Sequence, residues 1–318
     1  AGRFVEIGVL PLRMRALDGL AKCDVFAFDK TGTLTLGRPV VSDVYATGSL
    51  EYQEAMRYAA ALSADSEHPV AKAVRQHTPE PGMITSNRTN VPGAGIIARI
   101  NDQEWRLGKP AFVSQQQSLP ANTRALIDQC RSNGQLVSLL SNSDGVQAIV
   151  SFDDPRRPGI NDMFARLSRL GVKQLLVLSG DAQQSVTQLC QRLGIGDCHG
   201  GMSPQDKLAW TRSYQRQGKR IAMFGDGINV APSLAAAEVS LSLSDATDLA
   251  NVSSDFLILG DSICVLADAR ELAQRSRRNI MQNFSWAGGY NLIAVPFAAV
   301  GYIPPWGAAI GMSLSSLI

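Results

Sequence analysis

An excess of charge of either sign is what this 318-residue chain lacks most plainly: 30 Lys and Arg face 28 Asp and Glu, a net charge of +2. That balance gives none of the electrostatic footprint of a nucleic-acid binder, so no nucleic-acid partner is expected. Cysteine is sparse and scattered at Cys23, Cys130, Cys190, Cys198 and Cys264. With no CxxC pair and no metal-ligand spacing, a disulfide framework and a structural zinc site are both excluded, and buried free thiols in a reducing compartment are expected. Internal repeats and low-complexity tracts are absent. The opening stretch "AGRFVEIGVLPLRMRALDGL" has no signal-peptide architecture and reads as an amphipathic, basic linker helix entering a domain from elsewhere.

Charge is missing altogether from "NFSWAGGYNLIAVPFAAVGYIPP", residues 283–305. The run is about long enough to span a bilayer and is expected to be a transmembrane helix, with 306–318 beginning a second one. A buried core helix is the competing reading, which Trp286, Tyr290, Tyr302 and Trp306 weaken because they suit interfacial positions. Arg270, Arg275, Arg277 and Arg278 lie in a basic linker helix over 261–282 and mark the preceding side as cytoplasmic.

Four short apolar runs each end in an acidic or polar cluster: "VFAFD" (25–29), "QLLVLSGD" (174–181), "IAMFGDG" (221–227) and "VSLSLSD" (239–245). Helical patterns separate the last three, so right-handed parallel units in a doubly wound α/β sheet are expected, with the acids gathered on one edge. A long insertion, 38–147, falls between the first strand and the second and reads as another α/β domain. The outer domain is then 1–37 plus 148–260.

The richest stretch is "FAFDKTGTLTLG", residues 26–37. An apolar strand runs into Asp29, then a lysine, hydroxyls and a glycine. A turn would use the same residue types. A carboxylate at the C-terminal lip of a parallel sheet can also attack a phosphoryl group, and it then needs a cation, hydroxyls and a close backbone around it. Lys30, Thr31, Gly32 and Thr33 offer those groups without a gap. Asp154 and Arg157 in "SFDDPRRPG", Ser179, Gly180 and Asp181 in "LSGD", and Lys207 in "MSPQDK" are further candidates, as are Asp226 and Asn229 in "GDGIN". Asp226 beside Asp29 would suit magnesium, which takes carboxylate oxygens together with substrate phosphate. In the insertion, Glu67 and His68 of "SEHP" and Gly93 and Gly95 of "GAGIIAR" are candidates for a nucleotide site, though a lone histidine or GxG carries little weight by itself.

The uninterrupted DKTGTLT string matches the phosphorylation signature of the P-type ATPases. In order and spacing the whole chain resembles the heavy-metal-transporting, type IB branch, from just after the sixth transmembrane helix into the eighth. The resemblance implies a haloacid-dehalogenase-like phosphorylation domain with an inserted nucleotide-binding domain, using ATP and Mg2+. It makes Asp29 the phosphorylated residue, with Lys30, Thr31 and Thr33 on the phosphate and the Thr31 carbonyl on magnesium. Ser179, Gly180 and Asp181 match the TGD-type motif with serine for threonine. Asp154 and Arg157 match the DxxR element, Lys207 the phosphate-facing lysine, and Asp226 and Asn229 the hinge motif. Glu67, His68, Gly93 and Gly95 match the adenine-binding residues of the metal-ion branch. Tyr290 and Asn291, with Met312 and Ser316, resemble the copper(I) subgroup, and "LSGD" with "MSPQDK" leans towards the FixI-like exporters that serve cytochrome oxidase assembly. A soft thioether suits Cu(I). The implied setting is a multi-pass protein of the plasma (inner) membrane with cytoplasmic catalytic domains. It implies preceding transmembrane helices, an actuator domain and a copper chaperone or donor as partners.

Two features point elsewhere. A soluble haloacid-dehalogenase-type phosphatase would share the sheet, nucleophile and magnesium, but would carry a second acid two residues after the nucleophile, where this chain has Thr31. The family also reads GDGxNDxP where this chain reads "GDGINVAP", with Val230 in place of the second aspartate. Slower phosphorylation and a higher magnesium requirement are expected from that exchange.

Overall fold

The computed structural model describes residues 2–80, 82–115, 118–225, 230–244, 254–260, 262–302 and 306. Two sheets organise them. Strands β1 (Val9–Pro11), β2 (Val25–Phe28), β9 (Gln174–Leu178), β10 (Asp197–His199), β11 (Ile221–Phe224), β12 (Val239–Leu243) and β13 (Phe256–Ile258) form a seven-stranded sheet in the order β1-β13-β12-β11-β2-β9-β10. Every pair is parallel except β1 with β13. From β2 the chain reaches β9 and β10 on one side, then crosses to β11 on the other. The sheet is therefore doubly wound, as expected from the sequence, and its strand order reverses at β2, where open α/β sheets leave a crevice beyond the strand ends.

Strand β2 is buried along its whole length because both faces are covered. Phe26 and Phe28 join one core with Phe164, Phe224 and Leu266, while Val25 and Ala27 join the opposite one with Leu176, Met223 and Val230. Each buried phenylalanine stabilises the fold by roughly 1.5–3 kcal/mol. That core holds the end of β2, and hence Asp29, in place.

The remaining strands lie between β2 and β9 in sequence. They are β3 (Val40–Ala46), β4 (Ser86–Val91), β5 (Gly95–Ile100), β6 (Gln103–Gly108), β7 (Leu136–Asn142) and β8 (Gly145–Asp153), an antiparallel sheet ordered β3-β8-β7-β6-β5-β4. Helices Tyr52–Ser63 and Pro69–His77 pack on one face with Trp105 and Phe152 beneath them. Helix Ala121–Ser132 and Phe112 cover the other. The expected end of the insertion, residue 147, falls inside β8. That strand stays paired with β7 to Phe152 and with β3 to Asp153, so the inserted sheet continues past it.

Both ends differ from the sequence expectation. The N-terminal stretch is not one linker helix: a short helix, Gly2–Glu6, turns at Gly8 (φ 79°) into β1, and a second helix follows at Ala16–Lys22. Pro11, which cannot continue a helix, closes β1 at the sheet edge. At the other end the basic segment and the apolar run are a single helix, Val265–Ala299, unbroken at residues 282–283. No helix among the described residues is long and apolar enough to cross a membrane, because Asn283, Ser285, Gly288, Gly289 and Asn291 dilute the apolar run. Arg270 is also not a solvent-facing charge. It is buried, donates to the Leu20 and Leu170 carbonyls and stands over the Phe26 ring. The five cysteines are free, but only Cys23, Cys130 and Cys190 are buried.

Candidate active site

Asp29 leaves β2 at its C-terminal end, with its N–H bonded to the Phe224 carbonyl of neighbouring β11 at 2.8 Å. The chain then makes a tight turn through Lys30–Leu34, in which Gly32 takes φ 76°, a left-handed conformation that glycine adopts without strain. The turn closes with Thr35 N–H on the Lys30 carbonyl at 3.1 Å. Asp29 is 8% exposed. Its Oδ1 accepts from the Lys30 N–H at 3.0 Å and from Lys207 Nζ at 2.8 Å. Among the described residues both contacts converge on Oδ1, and none is made to Oδ2.

Lys207 is only 2% exposed. Helix Pro204–Arg216 begins with a capping box in which Ser203 and Asp206 satisfy each other's backbone N–H, and this fixes the first turn that carries Lys207. Burial pushes the Asp29 carboxyl above the usual aspartate range, and the Lys207 charge, with its hydrogen bond, works against that shift. An ammonium in direct contact is what a carboxylate in such a place needs to be ionised.

Asp181 follows β9 and collects three donors on Oδ2: Lys30 Nζ at 3.0 Å, Thr31 Oγ1 at 2.9 Å and Ser179 Oγ at 3.2 Å. Burial would raise its pKa, but the Lys30 charge and these bonds outweigh burial and hold it below the ordinary value. Lys30 Nζ also donates to Ser185 Oγ at 2.8 Å. Asp154 accepts from Thr35 Oγ1 at 2.6 Å, and Arg157 donates to the Gly32 carbonyl at 3.0 Å. Burial raises the Asp154 carboxyl against the Thr35 bond and the Lys30 charge. These two residues therefore brace the turn from its far side. Thr33 is fully buried, and its Oγ1 has no partner among the described residues.

Asp29, Lys30, Thr31, Ser179, Asp181 and Lys207 thus come together at one sheet edge, with Gly180 exposed in the same loop. Sequence reasoning missed Thr35 and Ser185. The threonine was legible as the last residue of DKTGTLT, and the serine as a hydroxyl in the first helical turn after LSGD. Asp226, Asn229, Met312 and Ser316 lie outside the described residues. Tyr290 and Asn291 are on helix Val265–Ala299, half-buried and exposed.

In the inserted domain the candidates sit on different elements. His68 caps helix Pro69–His77, its Nδ1 accepting from Val70 N–H at 3.2 Å with the ring exposed. The exposed Glu67 pairs with Lys72 at 2.7 Å. Gly93 has φ 72° with open space where a Cβ would point. Gly95 is different: it pairs with Gly108 across β5 and β6, and a Cβ there would lie 2.5 Å from the Leu107 carbonyl and 2.8 Å from the Phe112 ring. No hydrogen bond or ion pair joins Glu67 or His68 to Gly93 or Gly95.

A buried carboxylate on the central strand of a doubly wound sheet, flanked by two lysines and a second acid, defines a class. Residues 23–238 match the haloacid dehalogenase-like hydrolases, and the chain belongs to that family. Within it the chain is a type IB P-type ATPase segment. It is 35% identical to the nitrogen fixation protein FixI of Rhizobium leguminosarum bv. viciae, and 29% identical to a copper-exporting P-type ATPase of Bacillus subtilis (strain 168). Each alignment covers 100% of this chain and 40% of the relative, so the chain spans less than half the length of these proteins. Among solved structures, a zinc-transporting PIB-type ATPase in its E2.Pi state superposes with a TM-score of 0.82 at 28% identity, over 98% of this chain and 51% of the other.

Proposed function

We propose that this chain carries the phosphorylation and nucleotide-binding domains of an ATP-driven Cu(I) exporter, with Asp29 as the residue that takes up the phosphoryl group. The observation that carries the reading is the asymmetry of Asp29. Two donors hold Oδ1, and Oδ2 takes no hydrogen bond from a described residue. In the proposed reaction Oδ2 attacks the γ-phosphorus of ATP, the bond from that phosphorus to the β-phosphate bridge oxygen breaks, and ADP departs with the electron pair. Lys207 favours the ionised form of the nucleophile, and Lys30 and Thr31 are the proposed donors to the phosphoryl oxygens. The buried Thr33 hydroxyl, without a partner among the described residues, is a further candidate donor.

The donor set also fits magnesium. A hard cation that prefers oxygen would be held by the Asp29 carboxylate, the Thr31 carbonyl and Asp226, together with substrate phosphate. When bound it would offset charge on the phosphoryl oxygens. Nucleotide binding is assigned to the inserted domain, where the exposed His68 ring and the open ground at Gly93 could meet a base.

Copper is favoured over zinc by the copper-exporting relative and by the uncharged run 283–305, since a zinc site in those helices would be expected to carry charged ligands. Tyr290, Asn291, Met312 and Ser316 are the proposed cargo ligands. Membrane insertion through residues 283–318, cytoplasmic catalytic domains and a copper-donor partner belong to the same proposal. The exposed Phe284, Trp286, Leu292, Ile293 and Val300 support it.

The test is γ-32P-labelled ATP with magnesium, an acid quench and then hydroxylamine. The label should be acid-stable, released by hydroxylamine and absent from Asp29→Asn. A label that survives hydroxylamine, or one retained by Asp29→Asn, overturns the assignment.

A further inference from the structure

Between the two sheets runs a polar connection that phosphoryl transfer at Asp29 does not itself require. The ammonium of Lys30 has three N–H groups. One goes to Asp181 at 3.0 Å and one to Ser185 Oγ at 2.8 Å. Ser185 lies in the first turn of helix Gln183–Leu193, beside the sheet edge. A hydroxyl that accepts from an ammonium is polarised to donate, and the Ser185 hydroxyl is directed at the Gly134 carbonyl, 3.4 Å away. Gly134 belongs to the inserted domain, in the turn between helix Ala121–Ser132 and β7.

Gly134 is suited to this approach in two ways. Its φ is 79°, where L side chains are strained, and a Cβ would stand 2.9 Å from Gln188 Oε1 and 3.7 Å from Ser185 Oγ. Ser185 and Gln188 are three residues apart and share one helix face. The Gln188 Oε1 atom is buried with no partner among the described residues. The helix therefore offers the inserted domain a close seat, in which the positive φ favours glycine and a Cβ would press on the movable end of Gln188.

We propose that Ser185 is a positioning residue for Lys30 and that Gly134 is the point at which the inserted domain, docked on helix Gln183–Leu193, sets Lys30 beside Asp29. This rests on the reading of Asp29 as the phosphorylated residue. Docking of the nucleotide-carrying domain and placement of the catalytic-loop cation are then one event. A phosphoryl donor that needs no nucleotide domain still depends on that placement of Lys30.

The experiment uses the full-length protein with Ser185→Ala, Ser185→Thr and Gly134→Ala, and compares phosphoenzyme formation from ATP and from acetyl phosphate. Ser185→Ala should slow both donors about tenfold, as for a lost hydrogen bond to a charged group. Ser185→Thr, which keeps the hydroxyl, should restore the rate. Gly134→Ala, by loosening the docked domain and with it Lys30, should slow both donors, with the nucleotide dissociation constant from calorimetry unchanged. If wild type took no phosphoryl group from either donor, the reading of Asp29 would fail. If wild type were labelled and Gly134→Ala left the acetyl phosphate reaction at the wild-type rate, or Ser185→Ala matched wild type, the docking link alone would be rejected.

Discussion

Val230 concentrates the most chemistry in one side chain. It is fully buried against Val25, Ala27, Leu176 and Met223, and its Cγ2 stands 2.6 Å from where a Cβ on Gly225 would be. It is also the residue before helix Ala231–Ala236, a position where an acceptor normally bonds the first-turn N–H groups, and here no side-chain cap is made. Ser233, three residues on, has a buried hydroxyl with no partner among the described residues. Val230→Asp is thus expected to gain a cap worth about 1 kcal/mol and to lose apolar burial of roughly 1.5–3 kcal/mol. We expect slightly lower thermal stability, faster phosphoenzyme formation and a lower magnesium requirement. Val230→Asn should supply the cap without the charge and leave the magnesium requirement near wild type. Equal rates and magnesium dependence for wild type and Val230→Asp would make the valine neutral for catalysis.

Elements decide why two glycines of one short motif behave differently. Gly95 lies in β5 opposite Gly108, and the Phe112 ring packs where either Cβ would be. Gly95→Ala forces backbone apart at the Leu107 carbonyl and should destabilise the inserted domain by about 1–3 kcal/mol. Nucleotide affinity should fall only as far as folding does. Gly93→Ala meets open space, so its cost is the positive φ alone, about 1 kcal/mol. Thermal unfolding with and without nucleotide separates the two: parallel losses for both variants would make Gly93 structural as well. Local pattern made β2, β9 and β11 legible, because a strand buried on both faces reads as a near-continuous apolar run. It could not give β1, three residues long and paired with a strand some 250 positions away, nor the true extent of β8. Around Asp29, the residues contiguous with it were readable as candidate chemistry. Thr35 and Ser185 were overlooked although each sits by a quoted motif, because their partners, Asp154 and Lys30, meet them only once the chain is folded.

At the scale of the whole molecule, helix Val265–Ala299 divides into two parts of different character. Leu266, Ala267, Ala269, Arg270 and Ala273 are set into the core of the seven-stranded sheet, and Arg277 still reaches Asp18 at 3.2 Å. Beyond them Phe284, Trp286, Leu292, Ile293, Val295 and Val300 are each more than half exposed. An apolar face of that size on a soluble surface calls for cover. The full chain should therefore partition into liposomes or detergent micelles, and a chain ending at residue 279 should stay in water with its unfolding transition unchanged. Partitioning by the shortened chain would place the apolar contact elsewhere. The helix is anchored at one end only, and from Ala273 to Ala299 it extends about 39 Å at 1.5 Å per residue. A rod held that way converts angle into distance. Tilting its anchored turn by about 10° sweeps the far end through roughly 7 Å at that length. A shift of side chains within the sheet core, too small to open the fold, would be delivered at the distal end as a stroke longer than a helical turn.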